Sequence, residues 1–334
     1  MPRRRSTPRW SGSAFADLGG KDRPDAFVGT ALTLPCSPAE AMLVDLAAGS
    51  RYRAPRPALP LRPEVMAARI LVFDSGLGGL TVLAEIAKLR PDAALIYAAD
   101  DAGFPYGAWP APELAARVVE VVGRLIAESR PDLCVIACNT ASTLVLGDLR
   151  AAFPDLPFVG TVPAIKPAAT QSRSKLISVL ATPGTVARDY TQALITNFAA
   201  GCDVTLVGSS RLAGLAEAVM AGEPVAGAAI AEEIAPCFVA EGERRTDAIV
   251  LACTHYPLLL DRLIELAPWP VAWIDPAPAI ARRVDVVLTE AGFAALPPHT
   301  AAIPTRFTSG RTMRPDVARA FAARGLIFEA GVAS

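Results

Sequence analysis

The sequence predicts an α/β protein built on mostly parallel sheets. From about residue 66 onward, short apolar segments alternate with segments in which apolar residues recur at helical spacing. Such alternation is typical of parallel sheets that helices cover on both faces. The chain of 334 residues is 52% hydrophobic and 19% charged, so it can bury one large core or two modest ones.

The predicted elements follow one another along the chain. The first strand, RILVFD at 69–74, turns at SGLGG into an amphipathic helix at 80–89. Short apolar runs predict further strands at 94–100, 132–139, 157–162, 176–182, 203–208, 248–254 and 271–276. Helical periodicity predicts helices at about 112–129, 140–153, 211–221 and 226–241. Ligands of such sheets bind beyond the carboxyl ends of the strands, so the residues that follow each strand are the first candidates for a site.

Residues 1–65 differ in composition from the rest of the chain. Positions 1–64 carry ten basic and six acidic residues, and the arginines lie among prolines, as in RYRAPRPALPLRP. Such a segment can bury little apolar surface, and it lacks the apolar stretch of a secretory signal. We expect it to be either a disordered leader or an extension ahead of a natural start at Met66.

Composition also limits the partners of the chain. The net charge is −1 and no basic stripe is present after the leader, which argues against nucleic-acid binding. No apolar run reaches the roughly 18 to 20 residues of a membrane helix, so membrane residence is not expected. The six cysteines lack the close, regular spacing of a disulfide framework and are expected to be reduced thiols in the cytoplasm. Small solutes are the expected partners.

Two predicted strands end in a cysteine followed by threonine, in ACNT at 137–140 and in ACTH at 252–255. Each cysteine lies at a predicted helix N-terminus, where free amides favour a carboxylate ligand and lower the pKa of a thiol. One such cysteine alone is more often a small buried hydrophobe. Two in the same context favour a shared chemical task for Cys138 and Cys253. The simpler interpretation is kept for Cys36, Cys134, Cys202 and Cys237.

Three other interpretations compete with a paired task for the two thiols. Cys134 and Cys138 would lie about 13 Å apart on a strand, too far to share a metal ion, and no metal site is expected. His255 is near enough in sequence to form a nucleophilic pair with Cys253, which would leave the second thiol without a task. The glycines after the first strand suggest a dinucleotide site, but they give no complete G-x-G-x-x-G fingerprint, because its third glycine is missing.

Seven segments, in order, resemble the glutamate racemases within the aspartate/glutamate racemase family. They are VFDSGLGGL (72–80), PYG (105–107), ACNTAS (137–142), GTVPAIKPA (160–168), LATPGTVARDY (180–190), LACTHYPLL (251–259) and FTSG (307–310). The resemblance covers about 66–310, and its CTHYPL segment is similar to glutamate rather than aspartate racemases. It implies two facing, pseudo-symmetric α/β lobes with the active site between them. The first lobe would comprise 66–161 plus 271–334, and the second 162–270.

The resemblance also implies an activity. Family members interconvert L- and D-glutamate without a cofactor, supplying D-glutamate for peptidoglycan, so glutamate is the expected substrate and no cofactor is expected. Two alternatives stay open, a racemase of another acidic amino acid such as aspartate and a non-catalytic amino-acid-binding protein. The oligomeric state is also left open, with a homodimer among the options.

Site residues follow from the resemblance, motif by motif. Cys138 and Cys253 match the acid/base pair, and Asp74 and His255 match residues that assist the nearby thiols and also bind substrate. Further substrate-binding positions are matched by Ser75, Tyr106, Gly107, Asn139, Thr140 and Thr254. Additional candidates are Thr182 and the acidic Glu217.

Some of these candidates have a purely structural alternative. Asp74 stands before Ser-Gly, where an aspartate is commonly a turn or helix-capping residue. Tyr106 follows a proline and could be a packing aromatic. Asn139 and Thr140 could cap the helix that follows them, although capping and ligand binding need not exclude each other.

Overall fold

Two parallel β-sheets organise the protein. The structure, a computed structural model, describes residues 67–299 and 301–329. Its strands are β1 (Arg69–Asp74), β2 (Ala94–Ala99), β3 (Leu133–Ile136), β4 (Phe158–Gly160), β5 (Leu176–Ala181), β6 (Asp203–Gly208), β7 (Ala240–Glu241), β8 (Arg244–Arg245), β9 (Ala248–Ala252), β10 (Ala272–Ile274) and β11 (Thr305–Phe307). The predicted α/β class with mostly parallel strands is confirmed.

Helices connect the strands and cover the sheets. They are α1 (Leu80–Leu89), α2 (Ala111–Ser129), α3 (Asn139–Ala152), α4 (Ile165–Gln171), α5 (Pro183–Val186), α6 (Asp189–Phe198), α7 (Leu212–Met220), α8 (Gly227–Ile234), α9 (Leu260–Leu266), α10 (Ala277–Glu290) and α11 (Pro315–Ala322). Among the helices of the described residues, none combines the length and the apolar character needed to cross a bilayer.

The first sheet has the strand order β11–β2–β1–β3–β4, and all its pairings are parallel. Its central strand β1 is buried on both faces, which explains its unbroken apolar sequence. Ile70 and Val72 pack under α1 and α10, whereas Leu71 and Phe73 face α2 and α3. We call this sheet, with α1–α3, α10 and α11, the first lobe.

The second sheet has the strand order β10–β9–β5–β6, again with parallel pairings only. Strand β9 is buried along its whole length. Ile249 and Leu251 pack under α7, α8 and α9, whereas Val250 faces α4 on the other side. We call this sheet, with α4–α9, the second lobe.

The two sheets repeat one arrangement of strands. If β1 is matched with β5, the run β2–β1–β3–β4 of the first sheet corresponds to β6–β5–β9–β10 of the second. Both runs follow the same order along the chain as well as across the sheet. Strands β3 and β9 therefore hold equivalent positions, and these are the strands that lead to Cys138 and Cys253. The similarity between the sequence motifs ACNT and ACTH thus corresponds to equivalent positions in the two sheets.

Some boundaries differ from the sequence-based expectation. The return to the first lobe was expected at 271, but Ala272–Ile274 pairs with β9 as the edge strand of the second sheet. The helix expected at 226–241 ends at Ile234, because Pro236 cannot continue it. The residues after it form an antiparallel hairpin of β7 and β8 that turns at Gly242, whose φ is +61°. The expected leader, 1–65, lies outside the described residues.

Candidate active site

Cys138 and Cys253 line one small cavity between the lobes. Cys138 holds the N-cap position of α3, two residues after the end of β3, and Cys253 follows directly after β9. Of the ten residues predicted for the site, nine line this cavity, namely Ser75, Tyr106, Gly107, Cys138, Asn139, Thr140, Cys253, Thr254 and His255. Its volume is about 20 Å³, which is room for about one water molecule. The equivalent strand ends therefore bring both thiols to a shared, nearly filled space.

A hydroxyl is the side-chain neighbour of the Cys138 sulfur. Sγ of Cys138 lies 3.7 Å from Oγ of Ser75, and the residue is 5% exposed. Burial raises the pKa of this thiol, and the nearby negative charge of Asp74 raises it further, whereas the hydrogen bonds that join the sulfur to the Ala141 N–H and to the Ser75 hydroxyl oppose the rise. The sequence predicted a lowered pKa at a helix N-terminus, and for Cys138 that prediction is wrong because desolvation outweighs the amides. Cys138 is a neutral thiol at rest.

The Cys253 sulfur faces an imidazole instead. Sγ of Cys253 lies 3.9 Å from Nδ1 of His255, and Nε2 of the same ring lies 2.9 Å from Oε1 of Glu217. Burial alone would lower the pKa of His255, but its contacts with Cys253 and Glu217 and the charge of Asp74 raise that pKa well above its usual value. The ring is therefore a cation, and its positive charge lies beside the Cys253 sulfur.

Glu217 is held in place from the first lobe. Its Oε1 accepts a hydrogen bond of 2.6 Å from the Leu77 N–H, and its contact with His255 helps to keep its pKa low despite burial. The Gly78 N–H also points at Nε2 of His255, at 3.3 Å, but it can bond there only if that nitrogen is unprotonated. The shorter contact to Glu217 agrees with the raised pKa of His255, so we assign the proton on Nε2 to the Glu217 bond.

Asp74 lies behind the cavity and does not line it. Its Oδ2 accepts N–H bonds from Gly76 at 3.2 Å and Gly79 at 2.9 Å, and its Oδ1 accepts the Thr254 hydroxyl at 3.2 Å. Burial raises the pKa of this carboxyl, whereas the charge of His255 and these hydrogen bonds oppose the rise. Asp74 therefore fixes the turn after β1, as the structural alternative expected, and also ties that turn to the second lobe.

Asn139 has an unsatisfied amide in the cavity wall. The residue is 2% exposed, and within the described part of the chain neither its Oδ1 nor its Nδ2 has a hydrogen-bond partner. A buried amide without partners is unfavourable, so such groups are found where a ligand or water completes them. Asn139 lines the same cavity as both cysteines, which points to a polar ligand there.

Three threonine hydroxyls meet where the lobes touch. Oγ1 of Thr140 lies 2.9 Å from Oγ1 of Thr182 and 3.4 Å from Oγ1 of Thr185, and the last two are 3.1 Å apart. Thr182 also caps α5 through the Thr185 N–H. Thr182, an additional candidate in the sequence, therefore reaches the predicted Thr140, whereas nothing in the sequence singled out Thr185.

Tyr106 and Gly107 line the cavity, but the Tyr106 hydroxyl points elsewhere. It donates a hydrogen bond of 2.5 Å to Oδ2 of Asp100. Asp100 was not among the residues predicted for the site, and another of its partners, Arg117, lies inside α2, where no local motif marks it. Phe104 was also missed, although its ring centroid lies 5.2 Å from that of His255. Among the residues that the structure describes, no group of three or more His, Cys, Asp or Glu side chains is placed to hold a metal ion.

The chain is similar to known proteins over most of its length. The family model described as Asp/Glu/Hydantoin racemase matches residues 80–284. The glutamate racemase of Brucella ovis is 57% identical over 237 residues, which are 71% of this chain and 86% of the relative. That of Brucella anthropi is 59% identical over 231 residues, which are 69% of this chain and 83% of the relative.

Solved structures agree with the sequence relatives. The structure of Escherichia coli glutamate racemase, in complex with L-glutamate and an activator, UDP-MurNAc-ala, is 38% identical in sequence and has a TM-score of 0.68. The match covers 78% of this chain and 96% of the Escherichia coli chain. The structure of Thermus thermophilus glutamate racemase, in complex with beta-chloro-D-alanine, is 29% identical and has a TM-score of 0.56. The match covers 79% of this chain and 95% of the Thermus thermophilus chain. With nine predicted site residues in one cavity and these likenesses, the chain belongs to the Asp/Glu/hydantoin racemase family and, within it, to the glutamate racemases.

Proposed function

We propose that the chain interconverts L- and D-glutamate without a cofactor, using Cys138 and Cys253 as acid and base on opposite faces of the substrate α-carbon. The observation that carries this proposal is the meeting of two thiols, from equivalent ends of β3 and β9, in one cavity. Inverting a stereocentre by proton transfer needs a base on one face and an acid on the other. Two similar groups at equivalent strand ends suit that requirement.

One turnover moves two protons and leaves all atoms balanced. The Cys253 thiolate takes the α-proton of one enantiomer, so that the C–H bond breaks and an S–H bond forms. The electron pair stays on the α-carbon and spreads into the adjacent carboxylate. The Cys138 thiol then gives its proton to the opposite face, which leaves a thiolate on Cys138 and a thiol on Cys253. The other enantiomer uses the two sulfurs in exchanged roles.

The resting charges support this assignment. Cys138 is neutral because it is buried, and Cys253 lies beside the imidazolium of His255. Cys138 thus holds a proton to donate, and the imidazolium is placed to stabilise a negative charge that forms on the Cys253 sulfur during the reaction. We propose that Glu217 and Asp74 help by keeping His255 charged and in place, since the carboxylate of Glu217 bonds to the ring and the charge of Asp74 favours the cation.

Carbanion formation is the difficult step, because an amino acid α-C–H is far less acidic than a thiol. Each 1.36 kcal/mol of mismatch slows the step about tenfold, so the site must stabilise the developing charge. The unpartnered amide of Asn139 and the N–H groups at the start of α3 are suitable donors for the substrate carboxylate. In a buried site such donors act more strongly than in water.

Substrate entry requires a more open form. Glutamate has ten non-hydrogen atoms, whereas the cavity of about 20 Å³ holds about one water. Side-chain bonds between the lobes join Asp74 to Thr254 and Thr140 to Thr182. We infer that these contacts loosen to admit glutamate and form again around it, which also shields the carbanion from solvent.

In the cell, we place this activity in the cytoplasm as a supply of D-glutamate for peptidoglycan. The resemblance of the sequence supports this role, and the five cysteines within the described residues are all free thiols, which suits a reducing compartment. Aspartate remains the alternative substrate. A purely binding role has no use for two thiols at one ligand.

The test uses purified protein in deuterated buffer without added cofactor, first with L-glutamate and then with L-aspartate. We expect the circular dichroism of L-glutamate to decay to zero and α-deuterium to accumulate in D-glutamate, with little reaction of L-aspartate. Unchanged optical activity of L-glutamate would contradict the proposal. Faster loss of L-aspartate signal would favour the alternative substrate.

A further inference from the structure

Asp100 is a buried carboxylate that does not line the cavity of the two sulfurs. It follows β2, is fully buried, and accepts four hydrogen bonds. Arg117 of α2 binds it with Nε at 2.6 Å and Nη2 at 2.7 Å, the Thr308 hydroxyl after β11 donates at 2.6 Å, and the Tyr106 hydroxyl donates at 2.5 Å. We call these four residues the Asp100 anchor.

The anchor holds one end of a loop that forms a wall of the cavity. The loop runs from 101 to 109 through two short 3₁₀ turns, Asp101–Gly103 and Tyr106–Ala108. Its Phe104 packs on the ring of His255, and the α-carbon of Gly107 lies so near Thr182 that a Cβ there would be 3.0 Å from that side chain. The loop therefore belongs to the first lobe and closes against the second.

The charge of Asp100 is what makes this attachment firm. Burial alone would raise the pKa of Asp100, but the hydrogen bonds from Arg117, Thr308 and Tyr106 keep its pKa low, so the carboxylate is ionised. A bidentate arginine bond to a carboxylate fixes both distance and orientation. The Tyr106 hydroxyl has a single proton and donates it in the hydrogen bond to Asp100, so it cannot also donate to a substrate carboxylate.

We propose that Asp100 is a positioning residue for the racemase reaction and that the hydroxyl of Tyr106 acts through Asp100 rather than on glutamate. This inference rests on the proposed function. It also gives a role to the FTSG segment at 307–310, since its Thr308 donates a hydrogen bond to the same carboxylate. Asp100, Arg117 and Thr308 then support the loop from behind while Tyr106 and Gly107 face the substrate.

A loosened loop has a specific kinetic signature. If only about one tenth of the molecules hold the loop in its binding-competent position, the apparent affinity falls about tenfold, whereas saturating substrate restores the competent form. KM then rises about tenfold and kcat stays near its original value. A purely structural role for Asp100 has the opposite signature, since partial unfolding lowers the amount of active enzyme, and hence kcat, without changing KM.

The experiment is a double-mutant cycle on the whole chain, with KM and kcat measured for both glutamate enantiomers. Tyr106→Phe is made in the natural sequence and in an anchor-free background, Asp100→Ala with Arg117→Met, which removes both charges together. We expect Tyr106→Phe to raise KM about tenfold in the natural sequence and to have no further effect in the anchor-free background. An equal rise in both backgrounds would overturn the proposal, because the hydroxyl would then act on glutamate directly.

Controls separate this proposal from the proposed function. Arg124→Met changes an exposed arginine two turns further along α2 and is expected to leave KM unchanged. Thr308→Val removes one donor without leaving a buried charge and should raise KM less than Tyr106→Phe. It serves as the second test if the anchor-free chain does not fold. A fall in kcat at constant KM in these variants would overturn the positioning role of Asp100 and leave the proposed function intact. If the protein of natural sequence had no racemase activity, the proposed function itself would be overturned.

Discussion

Nε2 of His255 lies 2.9 Å from Oε1 of Glu217, a carboxylate that reaches it from α7. This contact distinguishes the surroundings of the two sulfurs, because Cys253 has the imidazolium as its neighbour and Cys138 has the hydroxyl of Ser75. The equivalent strands β3 and β9 thus deliver similar thiols into different electrostatic environments.

Removing either sulfur is expected to abolish racemisation. Cys138→Ala and Cys253→Ala should each lower kcat by about a thousandfold or more, since each removes one acid/base group. Either variant should still exchange the α-hydrogen of one enantiomer slowly with solvent, which proton NMR in deuterated buffer would detect. Cys202→Ala, a change outside the cavity, is the control and should keep normal turnover. Near-normal turnover in both site variants would rule out the assignment.

Loss of the Glu217 charge is expected to shift the pH profile. Glu217 raises the pKa of His255, so Glu217→Gln should lower that pKa. Because the cation is present below the pKa of His255 and lost above it, the alkaline fall in kcat/KM should begin at lower pH in the variant. The fall must be equal for both enantiomers, since the equilibrium constant of a racemisation is one. Glu223→Gln, on the exposed surface after α7, should leave the profile unchanged.

Gly78 permits the close approach of the two lobes. A Cβ at this position would lie 2.5 Å from Oγ1 of Thr254 and 2.7 Å from the backbone nitrogen of His255. Gly78→Ala should therefore destabilise the protein by about 1–3 kcal/mol and sharply reduce turnover. Gly147→Ala, inside α3 with open space around its α-carbon, is the matched control and should stabilise by up to about 1 kcal/mol. Thermal unfolding of the two variants measures this difference in sign.

The buried amide of Asn139 is expected to lower the stability of the ligand-free protein and to improve glutamate binding. Its side-chain amide is buried without a partner, so Asn139→Ala should raise the free energy of unfolding of the ligand-free protein by about 1 kcal/mol. The same change should raise KM for glutamate, and glutamate should stabilise the variant less than the natural sequence. Asn197→Ala on the exposed face of α6 should leave KM unchanged and alter the free energy of unfolding only through the higher helix preference of alanine, by at most about 0.7 kcal/mol. A less stable variant with normal KM would show that the amide serves the fold.

The sequence predicted the features that depend on local pattern. Apolar runs and helical periods located the strands, and the ends of β3 and β9 placed Cys138 and Cys253 at one site. Features that depend on tertiary contacts escaped it. The raised pKa of Cys138 follows from burial, and the position of a cysteine at a predicted helix N-terminus does not reveal how deeply the tertiary fold buries it. Arg117 forms no recognisable motif, because its partner Asp100 lies 17 positions away in the sequence.

Position in the chain did not indicate which sheet the predicted strand at 271–276 joins, and it did not indicate β11. Ala272–Ile274 belongs to the second sheet, although the resemblance placed 271–334 in the first lobe, because strand membership is decided by pairing partners and not by sequence order. The short β11 was not expected, since three residues carry too little apolar pattern to distinguish a strand from a loop.

The hydrogen bond from Thr308 to Asp100 joins residues 208 positions apart. Four strands of the first sheet can pair once residue 160 has left the ribosome, but β11 can dock on β2 only after residues 161–307 have emerged as well. A nascent polypeptide can therefore bring both thiols together before β11 docks and Thr308 bonds to Asp100 beside the loop at 101–109. If the Asp100 anchor positions the loop as proposed, full enzymatic competence follows only after β11 has docked.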